Sequence, residues 1–518
     1  MQLNMYLLRD GLPDDDCGLR ESIAEYDEVP TRPVGDLELK LFTKQSRGNP
    51  PRWLRDLLPV MQNQSPGALI NSHTAALLLV RYRGYRFVLA FGAGRFAIDP
   101  GAVKPGFGLK VVVNTVAAGR IVSADTRELG GRGRSQRTVL PTSGAFDELG
   151  IEPTRAWVRQ LEGRPPVEFA SAAAGSDALR LNLRRFSLMT LEDKLDQIVE
   201  RYESSDYKRE YEFIDYFTPV KDKPTRDRLR DCLTQMLLAG GADTCFASPD
   251  IEEPLQVDYF LLRRSGHEGV ELPELHSDDV LAALSGFGTA DPLKDVRVET
   301  YDVSGIQVGT THRLLDYVVA EIKLDGRRYA LSAGHWFAVD EGFVAELDRA
   351  ISYIKDLSDE LALAPWDRDA CPDEGAYNEQ LAANRDWRLL DKRDFHLPAY
   401  QKVEICDVLT ERKQLLCVKR MTRSSTMSHL FLQGQVSANL MAANMSGYRD
   451  RIMEEMGHLD SAASFGENRD WTIVYAIATP KQGAVASSLY FFSKVALYHA
   501  AQQLRALGVG VAIARIPM

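Results

Sequence analysis

The pattern of apolar and polar residues divides the chain into regions of different secondary structure. From residue 1 to residue 170, β-branched and aromatic runs separated by glycines recur, as in LLLVRYRGYRFVLAFGAGRFAID (77–99) and LKVVVNTV (109–116). Runs of this kind are typical of antiparallel strands joined by tight turns. The pattern therefore predicts a sheet-rich N-terminal domain.

Residues 171–363 combine helical and strand patterns. In TLEDKLDQIVERYESS (190–205), Thr190 precedes a stripe of apolar residues spaced three or four apart, which predicts an amphipathic helix with Thr190 as its N-cap. Strand-like runs follow, and a second helical pattern covers FVAELDRAISYIKDLSDEL (343–361). These features predict an α+β middle domain.

Two short segments of these regions resemble each other. RFVLAFGAGRFAID (86–99) and RYALSAGHWFAVD (328–340) both favour a strand, a glycine turn and a second strand. A duplicated hairpin and two unrelated hairpins both explain this similarity.

The last domain follows APWDRDACPDEG (364–375), where prolines and acidic residues interrupt both periodicities, and we place it at 366–518. Its elements are predicted in the order helix, three strands, helix, strand, helix, strand. The corresponding segments are DEGAYNEQLAANR (373–385), DWRLLD (386–391), VEICDVL (403–409), QLLCVKRM (414–421), SSTMSHLFLQGQVSANLMAAN (424–444), WTIVYAIA (471–478), SSLYFFSKVALYHAAQQLRAL (487–507) and VGVAIARI (509–516). The whole chain is thus predicted to be multidomain, of α/β and α+β class.

Composition excludes several classes of protein. With 45% hydrophobic and 26% charged residues, the 518-residue chain has the composition of globular domains rather than of fibrous or disordered proteins. A net charge of -11 argues against binding of polyanions over the whole surface, so only local basic groups are expected to bind them. The absence of a basic leader and of a long uncharged apolar run predicts a cytoplasmic protein without a membrane segment.

The motifs of several enzyme classes are absent. The six cysteines, at 17, 232, 245, 371, 406 and 417, include no CxxC pair, so we expect reduced thiols and no zinc site. The sequence has no GxSxG elbow, no HExxH pair and no phosphate-binding loop. We interpret the glycine-rich segments GAGRF (92–96) and GFGL (106–109) as turns.

The element order of the last domain, with a few polar residues on it, resembles the PD-(D/E)XK nucleases and implies a restriction-endonuclease-like mixed sheet flanked by helices. The resemblance implies that Asp407 is the acid of the second strand and Lys419 the lysine of the third. It also implies that Glu374, or Glu379 as its substitute, is the acid of the first helix and that Gln433 belongs to the following helix. Asp407 and Glu374 would then bind Mg²⁺ or Mn²⁺ for the cleavage of DNA or RNA.

The sequence departs from this family at Cys417, which stands two residues before Lys419 where the family has a second acid. A neutral thiol is a poor ligand for a hard cation. Three readings therefore stay open: an active nuclease, an inactive nuclease fold that binds nucleic acid or a protein partner, and an ordinary hairpin with a buried cysteine. A further alternative is a sensor or toxin that acts through the first two domains.

Local basic groups could contact DNA or RNA in this acidic protein, although solvated surface residues are the plain alternative. One group surrounds the candidate site, and the other lies in the glycine- and arginine-rich stretch RELGGRGRSQR (127–137). Formation of a homo-oligomer is also left open. The basic candidates are Lys402, Arg420, Arg423, Arg132, Arg134 and Arg137.

The whole chain also resembles a sporadically distributed prokaryotic family of similar length and unknown function. The matching segments are FGAGRF with FGLKVVVN, YALSAGHWFAVD, YNEQLA, and EICDVL through VKRMTRSSTMSHLFLQGQVSA. The patchy distribution of that family implies a role in mobile elements or antiphage defence.

Overall fold

The computed structural model describes residues 1–13, 18–32, 34–49, 71–128, 135–152, 154, 156–240, 244–246, 257–302, 305, 307–391, 394–397, 400–421, 424–444 and 447–518. The chain forms two compact units, one of Met1–Arg127 with Ser135–Asp227, and one that includes the described residues of Arg228–Met518. Its class is mixed α/β, with several antiparallel sheets.

The first unit is built on a ten-stranded sheet. The strands are β1 (Gln2–Leu7), β2 (Asp27–Val29), β3 (Glu38–Asn49), β4 (Asn71–Tyr82), β5 (Tyr85–Gly92), β6 (Ile121–Glu128), β7 (Ser135–Gly144), β8 (Ala156–Gly163), β9 (Ala172–Gly175) and β10 (Ala178–Asn182). They are hydrogen-bonded in the order β2-β3-β4-β5-β1-β10-β9-β8-β6-β7. The antiparallel pairing of β4 with β5 confirms the strand prediction for 77–92.

Helices and short 3-10 turns connect the strands of both units. The α-helices of the described chain are α1 (Phe107–Val113), α2 (Leu191–Glu203), α3 (Lys208–Tyr211), α4 (Lys223–Leu238), α5 (Ser277–Phe287), α6 (Pro292–Asp295), α7 (Leu314–Tyr317), α8 (Glu341–Ser352), α9 (Ser358–Leu361), α10 (Glu374–Arg385), α11 (Ser424–Ala443), α12 (Tyr448–Met456), α13 (Val485–Ser488) and α14 (Phe491–Ala506). The 3-10 turns are Glu21–Glu25, Ala93–Ala97, Ala118–Arg120, Asp147–Leu149, Leu188–Thr190, Glu212–Asp215 and Asn468–Asp470.

The strand predicted at 109–116 is wrong, because this segment belongs to α1. A continuous apolar run has no periodicity that separates a buried strand from a buried helix. The glycines of the segment allow the helix to lie directly on the sheet: a Cβ atom on Gly108 would lie 2.1 Å from the carbonyl oxygen of Ala178. The GFGL segment therefore begins a packed helix, whereas GAGRF is a turn, as predicted.

The apolar stripe predicted at 190–205 is confirmed in α2, where Leu191, Leu195 and Ile198 are buried in the core of the first unit. Thr190 occupies the predicted N-cap position, but its side chain makes no capping hydrogen bond. The hydroxyl of Thr190 donates to the carbonyl oxygen of Ser187 at 3.1 Å and accepts no hydrogen bond from the helix.

The expected boundary after residue 170 falls within a continuous sheet. Strands β9 and β10 follow that residue, but β10 pairs with β1 and β9 pairs with β8. The sequence gives no sign of this because a return to a distant strand depends on contacts across the whole unit.

The second unit contains two antiparallel sheets before its C-terminal part. The strand β11 (Phe217–Pro219) precedes them in the chain. The remaining strands are β12 (Thr244–Phe246), β13 (Tyr259–Arg264), β14 (Val270–Leu272), β15 (Val296–Tyr301), β16 (Gln307–Arg313), β17 (Val318–Leu324), β18 (Arg327–Ser332) and β19 (His335–Val339). One sheet has the order β14-β13-β15-β16, and the other includes β19-β18-β17-β12.

The segments that resemble each other in sequence differ in structure. Strands β18 and β19 form a hairpin through Ala333 and Gly334, whose φ angles are 45° and 72°. Strand β5 runs instead into a 3-10 turn. The structure therefore gives no support to a duplicated hairpin.

A mixed six-stranded sheet organises the C-terminal part. Its strands, together with a separate two-stranded ribbon of β22 and β23, are β20 (Lys355–Asp356), β21 (Arg388–Leu389), β22 (Asp394–Leu397), β23 (Tyr400–Glu404), β24 (Val408–Leu409), β25 (Gln414–Arg420), β26 (Thr472–Ala478) and β27 (Gly510–Ile516). The large sheet has the order β20-β27-β26-β25-β24-β21. Strands β25, β26 and β27 are parallel, whereas β24 is antiparallel to both of its neighbours.

Helices cover both faces of this sheet. On one face, Tyr377 and Leu381 of α10 pack with Val418. On the other, Phe431 of α11 contacts the ring of Tyr475 edge-on, with centroids 4.9 Å apart. The middle residues of the central strands are accordingly buried, as expected for parallel strands between two helical layers. None of the helices in the described part of the chain could cross a bilayer.

Candidate functional site

Asp407 lies in a bend between two short strands. The segment VEICDVL was predicted as one strand, but β23 ends at Glu404 and β24 begins at Val408. The bend is held from both sides, because the carbonyl oxygen of Asp407 accepts the amides of Leu390 (2.8 Å) and Asp391 (3.0 Å), and its own amide donates to the carbonyl oxygen of Leu416 (2.9 Å). Backbone hydrogen bonds therefore fix the position of this carboxylate.

The side chain of Asp407 is buried, with 3% of its surface exposed. Its Oδ2 atom accepts the backbone amide of Val418 at 2.6 Å. Burial raises the pKa of Asp407 to about 7, and the negative charges of Glu374, Asp391 and Glu404 act in the same direction, while the Val418 amide opposes them. Such a carboxylate is stabilised by an added positive charge.

Two further acids complete a compact group that the sequence did not reveal. Carboxylate oxygens of Asp391, Glu404 and Asp407 lie within 4.8 Å of one another. We call these three residues the acidic cluster. Asp391 follows β21 and Glu404 ends β23, so the bend brings both beside Asp407. In the sequence, the only indication of this group was that Asp391 and Glu404 lie at strand ends. That indication points to Asp407 only once the break in VEICDVL is known.

Lys419 and Glu374 form an ion pair beside the cluster. The Nζ atom of Lys419 donates to Oε1 of Glu374 at 2.8 Å, and both side chains are about one-third exposed, at 35% and 30%. Glu374 was predicted to bind metal. Its carboxylate is close enough to raise the pKa of Asp407, and one of its oxygens holds the lysine.

Gln433 reaches the acidic cluster from α11. Its Nε2 atom lies 3.4 Å from Oε2 of Glu404 and 3.5 Å from Oδ1 of Asp407. The amide therefore bridges two members of the cluster. All four residues that the sequence singled out for catalysis, Glu374, Asp407, Lys419 and Gln433, thus meet at one end of the sheet.

Cys417 is fully buried, with 0% of its surface exposed. It pairs in register with Tyr475, on the face that α11 covers. Burial raises its pKa, as do the nearby charges of Asp407 and Glu404, so the thiol stays neutral. Cys417 is therefore a core residue, and a neutral thiol is a poor ligand for a hard cation.

Asn378 places an unsatisfied polar group on the helix that carries Glu374. It follows Glu374 by one helical turn, so the two side chains share a face of α10. Asn378 is 0% exposed, and neither Nδ2 nor Oδ1 has a hydrogen-bond partner among the described residues. Burying an amide without a hydrogen-bond partner costs about 1–3 kcal/mol of stability. Packing alone therefore does not explain an asparagine at this position.

The basic candidates are only partly described. Arg420 ends β25, and its pKa is lowered by burial and by the charge of Arg368. Arg137 lies 3.4 Å from Asp125 and 3.9 Å from Glu162, in the first unit. Lys402 belongs to β23, but its side chain, like Arg423, Arg132 and Arg134, lies outside the described residues.

A family model described as a family of unknown function, DUF6119, matches residues 3–517. The chain belongs to the DUF6119 family. The match covers both compact units, so the candidate site is part of a chain-long DUF6119 architecture. No curated protein and no solved structure matches this DUF6119 chain.

Proposed function

We propose that this DUF6119 protein is a nuclease that cleaves DNA or RNA with a divalent metal bound at the acidic cluster. The observation that carries the proposal is the convergence of the acidic cluster with Lys419. Three carboxylates whose oxygens lie within 4.8 Å offer the hard oxygen ligands that Mg²⁺ and Mn²⁺ prefer. A lysine beside them supplies the positive charge that phosphate chemistry requires.

The order of elements supports the same proposal. Without the ribbon β22–β23 and the helix α12, the order is α10, β21, β24, β25, α11 and β26, and β26 lies parallel to β25. This is the order that suggested a resemblance to the PD-(D/E)XK nucleases. Lys419 lies near the end of the third of these strands, and Asp407 lies directly before the second, whereas the resemblance implies an acid within that strand.

Cys417 leaves the family position of the second acid without a carboxylate. In the proposed site Glu404 and Asp391 take over that role, because their oxygens lie beside Asp407 and they belong to neighbouring strand ends. Glu404 and Asp391 come from other elements than the family's second acid, but the number of carboxylates at the proposed metal site stays the same. The buried thiol is then compatible with catalysis.

The donor set suits a hard cation, and burial beside Glu374, Asp391 and Glu404 raises the pKa of Asp407, so an added positive charge would favour its ionised form. A bound Mg²⁺ or Mn²⁺ would polarise the phosphate and lower the pKa of the attacking water. Glu374 orients Lys419 by its hydrogen bond, and Lys419 offsets the charge that develops on the phosphate. Gln433 holds Glu404 and Asp407 in place through its amide.

The purified protein should cleave single- or double-stranded DNA or RNA in Mg²⁺ or Mn²⁺, and Lys419→Ala should lower the rate by about 100-fold or more. Arg412→Ala, on the exposed turn of the same hairpin, is the matched control and should cleave normally. The proposal fails when no substrate of either kind is cut, or when cleavage survives Lys419→Ala.

A second candidate function rests on Cys417 itself. A sheet that carries a neutral thiol in place of the second acid could bind nucleic acid or a protein partner without cutting it. This alternative predicts binding that weakens with salt and is unaffected by metal, with no cleavage by the wild-type protein. A role in antiphage defence stays a prediction for either function.

A further inference from the structure

The four-stranded sheet β14-β13-β15-β16 of the second unit has two different faces. Leu262, Val296 and Val298 are 0% exposed and form the inner face. Arg263 and Arg297 point the other way and are exposed. We call the side that carries these arginines the outer face.

Three arginines stand in one row across the outer face. Arg263 is directly opposite Arg297, and Arg297 is directly opposite Arg313. Neighbouring strands are about 4.8 Å apart, so the row places three positive charges within about 10 Å. Like charges in directly opposite positions destabilise a sheet. The row is therefore unfavourable for folding, and an anion bound across it would relieve the repulsion.

Acidic partners compensate the two ends of the row but not its centre. Arg263 lies 3.4 Å from Oε2 of Glu299, and Arg313 lies 2.6 Å from Oδ1 of Asp316. Arg297 makes no ion pair with any residue that the structure describes. No acid among the described residues therefore pairs with the central arginine, and its guanidinium is available to a ligand.

Two tyrosines lie on the same face, further along the strands. Tyr259 and Tyr301 are directly opposite each other, and their rings stack with centroids 5.2 Å apart and planes 8° apart. Both are partly exposed. Since Tyr259 and Arg263 are four residues apart on one strand, the stack and the row are separated by about 13 Å.

A groove of about 820 Å³ runs beside this face and is lined by Arg263, Arg297 and Glu299. Its lining also includes the acids Glu268, Glu271 and Asp295. Glu271 is exposed and lies opposite Leu261, on the outer face itself. The groove is therefore not uniformly basic: its positive charge comes from Arg263 and Arg297 of the row and from Arg264.

We infer that the outer face binds single-stranded nucleic acid, with phosphates across the arginine row and a base against the tyrosine stack. Guanidinium groups bind phosphate oxygens in a bidentate manner, and unpaired bases stack on aromatic rings irrespective of their sequence. A paired duplex shields its bases from such stacking. The choice of nucleic acid as ligand rests on the proposed function, but the binding itself requires neither the acidic cluster nor metal.

Fluorescence anisotropy of a labelled oligodeoxythymidine, in EDTA and over a range of salt concentrations, tests this inference. The full-length wild-type protein should bind. The triple variant Arg263→Gln, Arg297→Gln, Arg313→Gln should lower affinity by roughly tenfold or more and reduce the slope of log K against log salt by about two. Tyr301→Leu should weaken binding by about fivefold or more.

Two further variants make the test sharper. Glu271→Gln removes a negative charge from the outer face and should tighten binding. Arg349→Gln removes an exposed arginine from α8 in the same unit and should leave binding unchanged. The melting temperature of Arg297→Gln should equal or exceed that of the wild type, because Arg297 faces two like charges and pairs with no described acid. The other two substitutions also remove the ion pairs with Glu299 and Asp316, so the triple variant needs its own melting curve. If a variant binds the oligonucleotide more weakly but remains folded, the weaker binding is due to the lost contact.

Several results would overturn the inference. These are no binding by the wild-type protein, equal binding by the triple variant, equal affinity for a duplex of the same sequence, and equal competition by poly-glutamate at the same charge concentration. Failure of the proposed function looks different. If the protein binds the oligonucleotide through the arginine row but never cuts it, the nuclease proposal fails and this inference stands. If the protein cuts nucleic acid and the row variants bind it as the wild type does, this inference fails and the nuclease proposal stands.

Discussion

Burial is the main cause of a raised pKa in two carboxylates of the second unit, but the charges that surround them are opposite. Glu321 of β17 and Asp407 are both removed from water, and burial raises the pKa of each. Glu321 receives Nη1 of Arg328 on one oxygen at 2.7 Å and the amide of Phe491 on the other at 2.7 Å. Its charge is compensated by a guanidinium and by the N-terminus of α14.

Asp407 has no such compensation among the described residues. One backbone amide and one distant amide of Gln433 serve its two oxygens, and the charges that surround it belong to Glu374, Asp391 and Glu404. Folding alone would favour the arrangement of Glu321. The comparison teaches that a buried carboxylate with a guanidinium and an amide on its oxygens suits a structural role, whereas a carboxylate buried among other carboxylates is one that a bound cation would stabilise.

Removal of Glu321 should have the largest effect on stability. Glu321→Ala leaves Arg328 without its partner in a largely buried position and uncaps α14, so we expect a loss of about 3–5 kcal/mol in the free energy of unfolding. Urea denaturation measures this loss. The matched control is Glu346→Ala, an exposed acid on α8. Equal stability of the two variants would show that Glu321 is not a structural acid.

Removal of Glu404 should affect activity and leave stability nearly unchanged. Glu404→Gln keeps the shape of the side chain but removes a charge from the acidic cluster. We expect metal-dependent cleavage to fall by about 100-fold, as for the loss of a group that stabilises the transition state. Initial rates at saturating Mn²⁺ measure it. A rate within a few fold of the wild type would exclude Glu404 as a ligand.

Replacement of Asp407 should stabilise the protein in the absence of metal. The unfolded value of its pKa is 3.8 and the folded value is about 7, so the wild-type protein loses stability as the pH rises between these values, and Asp407→Asn does not. In EDTA the variant should be more stable than the wild type by about 1 kcal/mol or more at pH 8, with a smaller difference at pH 5. A variant that is less stable at pH 8 would contradict the uncompensated charge.

Replacement of Cys417 should have the smallest effect. Because the thiol is buried and neutral, Cys417→Ala removes no ligand, and we expect the cleavage rate to stay within about threefold of the wild type once stability is accounted for. Single-turnover cleavage below the melting temperature measures it. A loss as large as that of Glu404→Gln would return Cys417 to the site.

The sequence predicted the candidate site where residues with suitable chemistry lie on elements whose order along the chain is clear. The order of the C-terminal elements brought Glu374, Asp407, Lys419 and Gln433 together as candidates, and the structure places them at one end of the sheet. The sequence could not show Asp391 and Glu404 as neighbours of Asp407, because their proximity depends on a bend that interrupts VEICDVL. The helix at Phe107–Val113 was missed because a buried apolar run carries no periodicity. The arginine row depends on strand register, which no local pattern specifies.

Calorimetric titration with Mn²⁺ tests most directly the claim that the acidic cluster binds a divalent cation. The wild-type protein should bind Mn²⁺ at this site, and both Asp407→Asn and Glu404→Gln should weaken binding by at least about tenfold. Glu379→Gln, an exposed acid on α10, should bind as the wild type does. A wild-type protein that binds no Mn²⁺, or cluster variants that bind it with unchanged affinity, would contradict the account.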